Sequence, residues 1–119
     1  MLREAIEHHR QGRLDDAETA HREALTANPV DAEALRGLAV VRRALGDLAE
    51  SATLIAAAHE QQPEQANLLL MLGAVRFEQG DVEAARIAYE KALALDPNLA
   101  GAHTAIGHIA MMQGKPELA

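Results

Sequence analysis

Glycine and proline recur in this chain at a fixed interval. Gly12, Gly46, Gly80 and Gly114 stand 34 residues apart, and Pro29, Pro63 and Pro97 keep the same spacing. In a sequence otherwise rich in Ala, Leu and Glu, a glycine inside a helix costs about 1 kcal/mol relative to alanine and a proline about 3. Helices are therefore expected to stop at these positions. A period between roughly 20 and 50 residues is the sign of an array whose units stack only on their neighbours.

Between each Gly and the next Pro the sequence predicts one amphipathic helix, over Leu14–Ala27, Leu48–Gln61 and Val82–Leu95. Between each Pro and the next Gly it predicts another, over Ala32–Leu45, Ala66–Glu78 and Ala100–Met112. Leu35, Leu38, Ala39 and Val41, like Leu69, Leu72, Gly73 and Val75, lie on a helical stripe and do not alternate as a strand would. The expected fold class is all-α, an antiparallel helix hairpin repeated. Asp15, Asp16, Asp47, Asp81 and Glu83 fall in or just before the first turns of the second helices, where the helix dipole favours negative charge. Pro116 falls near a first helical position, where its missing N–H does no harm.

Composition narrows the function. With 18 acidic against 11 basic residues the formal charge is −7, which excludes the net basic footprint of a general nucleic-acid binder. No stretch approaches the ~18 apolar residues of a membrane span, and the opening MLREAIEHHR has no signal-peptide core. A cytoplasmic protein whose partners are proteins is the default expectation. The chain has no cysteine, so neither disulfides nor thiolate metal sites are available. Aromatic content is only 2%, so Ala, Leu, Ile and Val must supply the core.

A helix-turn-helix unit of this period resembles the tetratricopeptide repeat. The third unit, Ala66–Leu99, matches best, with Leu72-Gly73 as the Leu-Gly pair, Ala85 and Ala92 as small contacts and Tyr89 as the aromatic. Leu38-Ala39, Ser51, Ile55 and Ala58 take those places in the second unit, Ala5, Ala17, His21 and Ala24 in the first, and Ile106-Gly107 begins the fourth. Repeats are expected over about 1–31, 32–65, 66–99 and an incomplete 100–119, forming one domain. The resemblance implies a right-handed superhelical α-solenoid. Where the family often carries Trp and Tyr, at its fourth and eleventh positions, this chain has Leu35 and Arg42, Leu69 and Arg76, and His103 and Ala110, which implies a thinner core.

In that family the first helix of each unit lines a concave surface. Carried over residue by residue, the resemblance implies a concave face of Glu33, Arg36, Val40, Arg43, Asn67, Leu70, Ala74, Phe77, Gly101, Thr104, His108 and Met111, with Leu2, Ile6 and His9 from the first unit, and a peptide-binding groove of Arg36, Val40, Arg43, Leu70, Ala74, Phe77, Thr104, His108 and Met111 on it. Phe77 is the only phenylalanine; it either faces this groove or packs against the next unit's first helix. Val40, Leu70 and Met111 add apolar contact, and Arg36 and Arg43 suit a carboxylate, so the expected partner is a protein or peptide with apolar anchors and an acidic residue. Leu2 and Ile6 stand where some relatives carry Lys and Asn to clamp chaperone tails, so no such clamp is expected.

His8, His9, His21, His59, His103 and His108 include no pair at the three- or four-residue spacing of a helical metal site, and no metal or cofactor is expected. His8, His21 and His103 are expected to fill helix interfaces as flat rings. No phosphate loop, nucleophile elbow or thiol points to an enzyme. The closing QGKPELA begins a further helix and stops, so Ile106, Ile109 and Ala110 are expected to lack a partner helix and to form a self-association edge. The expected function is a scaffold or adaptor. The rivals are a non-catalytic segment of a larger enzyme, such as a sulfotransferase or glycosyltransferase, and a self-assembling structural element.

Overall fold

The computed structural model describes the backbone of residues 2–114 and the side chains of residues 12–114. The side chains of Leu2, Ala5, Ile6, His8 and His9, and the segment from Lys115 that contains Pro116, lie outside the described residues. Six helices follow one another: α1 Leu2–Ala27, α2 Ala32–Ala44, α3 Leu48–Gln61, α4 Ala66–Glu78, α5 Val82–Leu95 and α6 Ala100–Met112. No strand occurs among the described residues. The chain divides into two compact units, one ending at Gln61 and the other beginning at Gln62.

The glycines end helices by backbone geometry. Gly46 and Gly80 take φ of 90° and 84°, left-handed values that an L side chain resists. Gly46 N–H then donates to Arg43 O at 3.0 Å and Asp47 N–H to Arg42 O at 2.8 Å, and Gly80 and Asp81 repeat this with Phe77 O and Arg76 O. Two otherwise orphaned carbonyls are satisfied at each end. The aspartate that follows restarts the chain. Asp47 Oδ1 accepts from Glu50 N–H and Asp81 Oδ1 from Ala84 N–H, at 3.1 and 3.0 Å.

Gly12 does not follow this pattern, which corrects the expected break. α1 runs unbroken through it for 26 residues, and Asp15 and Asp16 sit inside the helix and not at its start. The reason is local: Arg13 follows Gly12, where Asp47 and Asp81 follow Gly46 and Gly80, so no capping carboxylate stands ready to restart a helix. Without that cap, a glycine in ordinary helical geometry costs only about 1 kcal/mol.

In unit 1, α2 and α3 bury Leu38 and Ile55, and Ser51 is buried with its hydroxyl donating to Ala39 O at 2.7 Å. Half-buried His21 of α1 lies against Gly37 of α2, where any Cβ would strike the imidazole ring. In unit 2, a core of Leu69, Ala85, Tyr89, Ala92, Ala102 and Ile109 joins α4, α5 and α6. A Cβ on Gly73 would stand 2.6 Å from Tyr89 Cε1, so the Leu72-Gly73 pair is what admits the tyrosine ring. Ala85 and Ala92 are fully buried, as small residues at a helix crossing should be.

Candidate functional site

The expected groove residues fall on single helix faces, because spacings of three and four bring side chains into line. Arg36, Val40 and Arg43 share a face of α2, all exposed. Arg36 Nη2 donates to Glu33 Oε2 at 3.3 Å, so part of its guanidinium fork is already engaged within its own helix. Leu70, Ala74 and Phe77 share a half-buried face of α4, and Thr104, His108 and Met111 an exposed face of α6.

Unit 2 brings three of these together. Phe77, Thr104 and His108 line an open cavity of about 400 Å³ with Tyr89, Gly101 and Ala105. The Phe77 and His108 rings meet with centroids 6.0 Å apart at 59°, within the tilted geometry aromatic pairs prefer. Phe77 packs against the core and meets His108 of the next first helix, and it also walls this cavity. Gly101 lies close to Leu70, whose Cδ2 a Cβ there would approach to 3.2 Å, although Leu70 itself is outside the lining. Ala74 and Met111 lie outside the lining. Tyr89 and Ala105 belong to it although the sequence presents the first only as core; the signal was Gly73, whose missing side chain lets the Tyr89 ring reach α4.

Two expectations are corrected. Ile109 and Ala110 are 1% and 3% exposed, covered by their own unit and not left as an open edge. Ile109 repeats the buried positions of Val41 and Val75, at the 34-residue interval, and Ile106 packs against the same core. Met111 and Met112 are the large apolar side chains exposed at this end among the described residues. His103, for its part, is exposed and fills no interface; a ring nitrogen meets Pro97 O at 2.8 Å.

Sequence reasoning missed an ionic cluster in unit 1. Arg42 donates to Glu18 Oε1 at 2.6 Å and to Asp47 Oδ2 at 2.9 Å, with Glu50 Oε1 3.6 Å from its Nε. Arg22 adds a bond to Glu50 Oε1 at 2.7 Å. The cluster ties α1, α2 and α3 together. The hydrogen bond from Arg42 holds the Glu18 carboxyl below its ordinary value, and the bond from the Glu50 backbone, then Arg42, does the same for Asp47. Arg42 is pushed up by the same partners, Glu18 first.

Among the described residues no group of His, Asp or Glu could hold a metal ion, and no helix is long and apolar enough to cross a membrane.

Helix pairs on a fixed period, with left-handed glycines between the two helices of α2–α3 and of α4–α5, define a helical-repeat protein. The profile described as tetratricopeptide repeat matches residues 2–59 and a second, described as TPR repeat, matches residues 73–114. The chain belongs to the tetratricopeptide-repeat family. No curated protein matches it. Among solved structures it resembles the first TPR of Spaghetti (RPAP3) bound to the HSP90 peptide SRMEEVD, with 21% identity over 94% of this chain and 89% of that one and a TM-score of 0.80. It also resembles the MamA protein, with 21% identity, 87% and 57% covered and a TM-score of 0.80. An O-GlcNAc transferase mutant of Thermobaculum terrenum shares 29% identity at a TM-score of 0.76, over 89% of this chain but 20% of that one.

Proposed function

We propose that the chain is a protein-interaction module that seats an apolar anchor of a partner peptide in the cavity of unit 2. The observation that carries this reading is the cavity itself: Phe77, Tyr89 and Ala105 give apolar walls, while Thr104 and His108 place a hydroxyl and an imidazole at its edge. A mostly apolar concavity with few polar groups is the common form of a binding site. Met111 of the same unit, 66% exposed, offers further apolar contact, and the exposed face of Arg36 and Val40 on α2 of unit 1 is a separate candidate surface. That the related RPAP3 domain was solved with an acidic peptide agrees in kind.

The test is a peptide-display selection on the purified chain, repeated on Phe77→Ala and His108→Ala variants that keep native helical melting. Enrichment of a motif with an apolar anchor that both variants lose supports the site. Enrichment that Phe77→Ala leaves intact overturns it.

The transferase likeness favours a second, compatible reading, in which this interaction module is the non-catalytic part of a larger enzyme such as a glycosyltransferase. The coding sequence on either side of the chain decides it: a transferase domain there supports the reading, and unrelated or absent flanking sequence removes it.

A further inference from the structure

The chain has one phenylalanine and one tyrosine, and both line the cavity of unit 2, where the His108 ring stands as a third π face. Every other buried hydrophobic side chain is Ala, Leu, Ile or Val. All the lining residues belong to unit 2. Phe77 and His108 already meet at a tilt of 59°, and a further ring can join such a pair edge to face.

Volume and charge narrow what enters. An apolar cavity of about 150 Å³ is enough for a benzene-sized ring, whereas this one measures about 400 Å³. A single aliphatic side chain would leave much of that space to water, and a phenol or an indole fills more of it. None of the lining residues is Asp, Glu, Lys or Arg, so a charged anchor would lose its hydration without gaining a counterion.

The rim supplies a polar handle. Thr19, Thr26 and Thr53 each donate to the carbonyl four residues back in their helices, at 3.1, 3.0 and 3.1 Å. Thr104, exposed on α6, makes no hydrogen bond among the described residues, and the same holds for the ring nitrogens of His108 one turn further on. A hydroxyl and an imidazole are thus both free to meet a ligand at the edge of an apolar space.

We propose that the cavity selects an aromatic anchor with a polar edge, the tyrosine or tryptophan of a partner peptide. The ring lies against Phe77, Tyr89 and Ala105, and its O–H or N–H donates to Thr104 Oγ1. Rigid amphipathic rings of this kind are frequent anchors at protein interfaces. The proposal rests on the cavity being a peptide site and adds the chemistry of the side chain that enters it.

The experiment selects displayed peptides on the full chain from sub-libraries that fix Trp, Tyr, Phe, Leu or Arg at one central position between random residues. Recovered peptides are measured on the unmodified chain and on Thr104→Val and Phe77→Ala, each checked for native helical content. The Trp and Tyr sub-libraries are expected to enrich over the Leu one, and their peptides to be lost with Phe77→Ala. Thr104→Val keeps the side-chain shape and removes the hydroxyl, so it should weaken Trp and Tyr peptides about three- to tenfold and leave their Phe-substituted forms unchanged. Equal enrichment of Leu peptides that Phe77→Ala abolishes would overturn the aromatic preference while leaving the peptide site standing. Enrichment of Arg peptides, or equal weakening of Trp, Tyr and Phe forms by Thr104→Val, would overturn it as well. Peptides that all survive Phe77→Ala would overturn the site and the preference together.

Discussion

Arg42 and Arg76 hold one repeat position in opposite surroundings. The first is closed in by three carboxylates from its own chain, and the second has a neutral amide and an apolar cavity. Within each helix hairpin the difference goes with replacement of Glu50 by Ala84 one repeat later. It teaches that a repeat can keep its backbone while exchanging what holds its helices. Unit 1 joins α1 to its neighbours through ions and a half-buried imidazole, whereas unit 2 joins α6 through buried Tyr89 and Ile109.

The largest expected effect falls on unit 2. Tyr89→Ala removes the ring that Gly73 was shaped to admit and should cost about 3–5 kcal/mol in urea unfolding. A cost under about 1 kcal/mol would mean that the tyrosine is not a core residue.

Next come the glycines, which separate a helix stop from a helix interior. At Gly46, φ is positive and a Cβ would meet no neighbour, so Gly46→Ala should lose about 1–2 kcal/mol by backbone strain alone. Gly12 has open space and no left-handed φ, so Gly12→Ala should gain about 0.5–1 kcal/mol. Destabilisation at both sites would restore the break that the sequence implied.

Acid should act on unit 1 with the smallest effect, since exposed pairs contribute little each. Glu18 and Asp47 sit below their ordinary values of 4.5 and 3.8 in the folded chain. Their contribution is therefore complete above those values and is lost as pH falls through them and on through the lower folded values. Amide exchange, corrected for its intrinsic pH dependence, should rise in α1 below about pH 4.5, with little change in α4–α6. An equal rise in both units would contradict the ionic account.

Much of this fold was legible because glycine and proline act through the backbone. Five of the six helices begin and end as the spacing predicts, apart from Leu45, which caps α2 and does not extend it. α1 was misread because Gly12 carries the period without the following aspartate. Phe77, Thr104 and His108 could be placed on faces from spacing, and they meet around one cavity. The Arg42 cluster was not legible, since its links join residues 24 and 28 apart on different helices, and such pairing leaves no periodic trace.

The most direct test compares Arg42→Glu with Arg76→Glu by hydrogen exchange resolved helix by helix. The ionic cluster predicts faster exchange across α1–α3 for the first variant, where the new carboxylate would face Glu18, Asp47 and Glu50, and unchanged exchange in α4–α6 for the second. Equal loosening of both units, or loosening by Arg76→Glu alone, would contradict it.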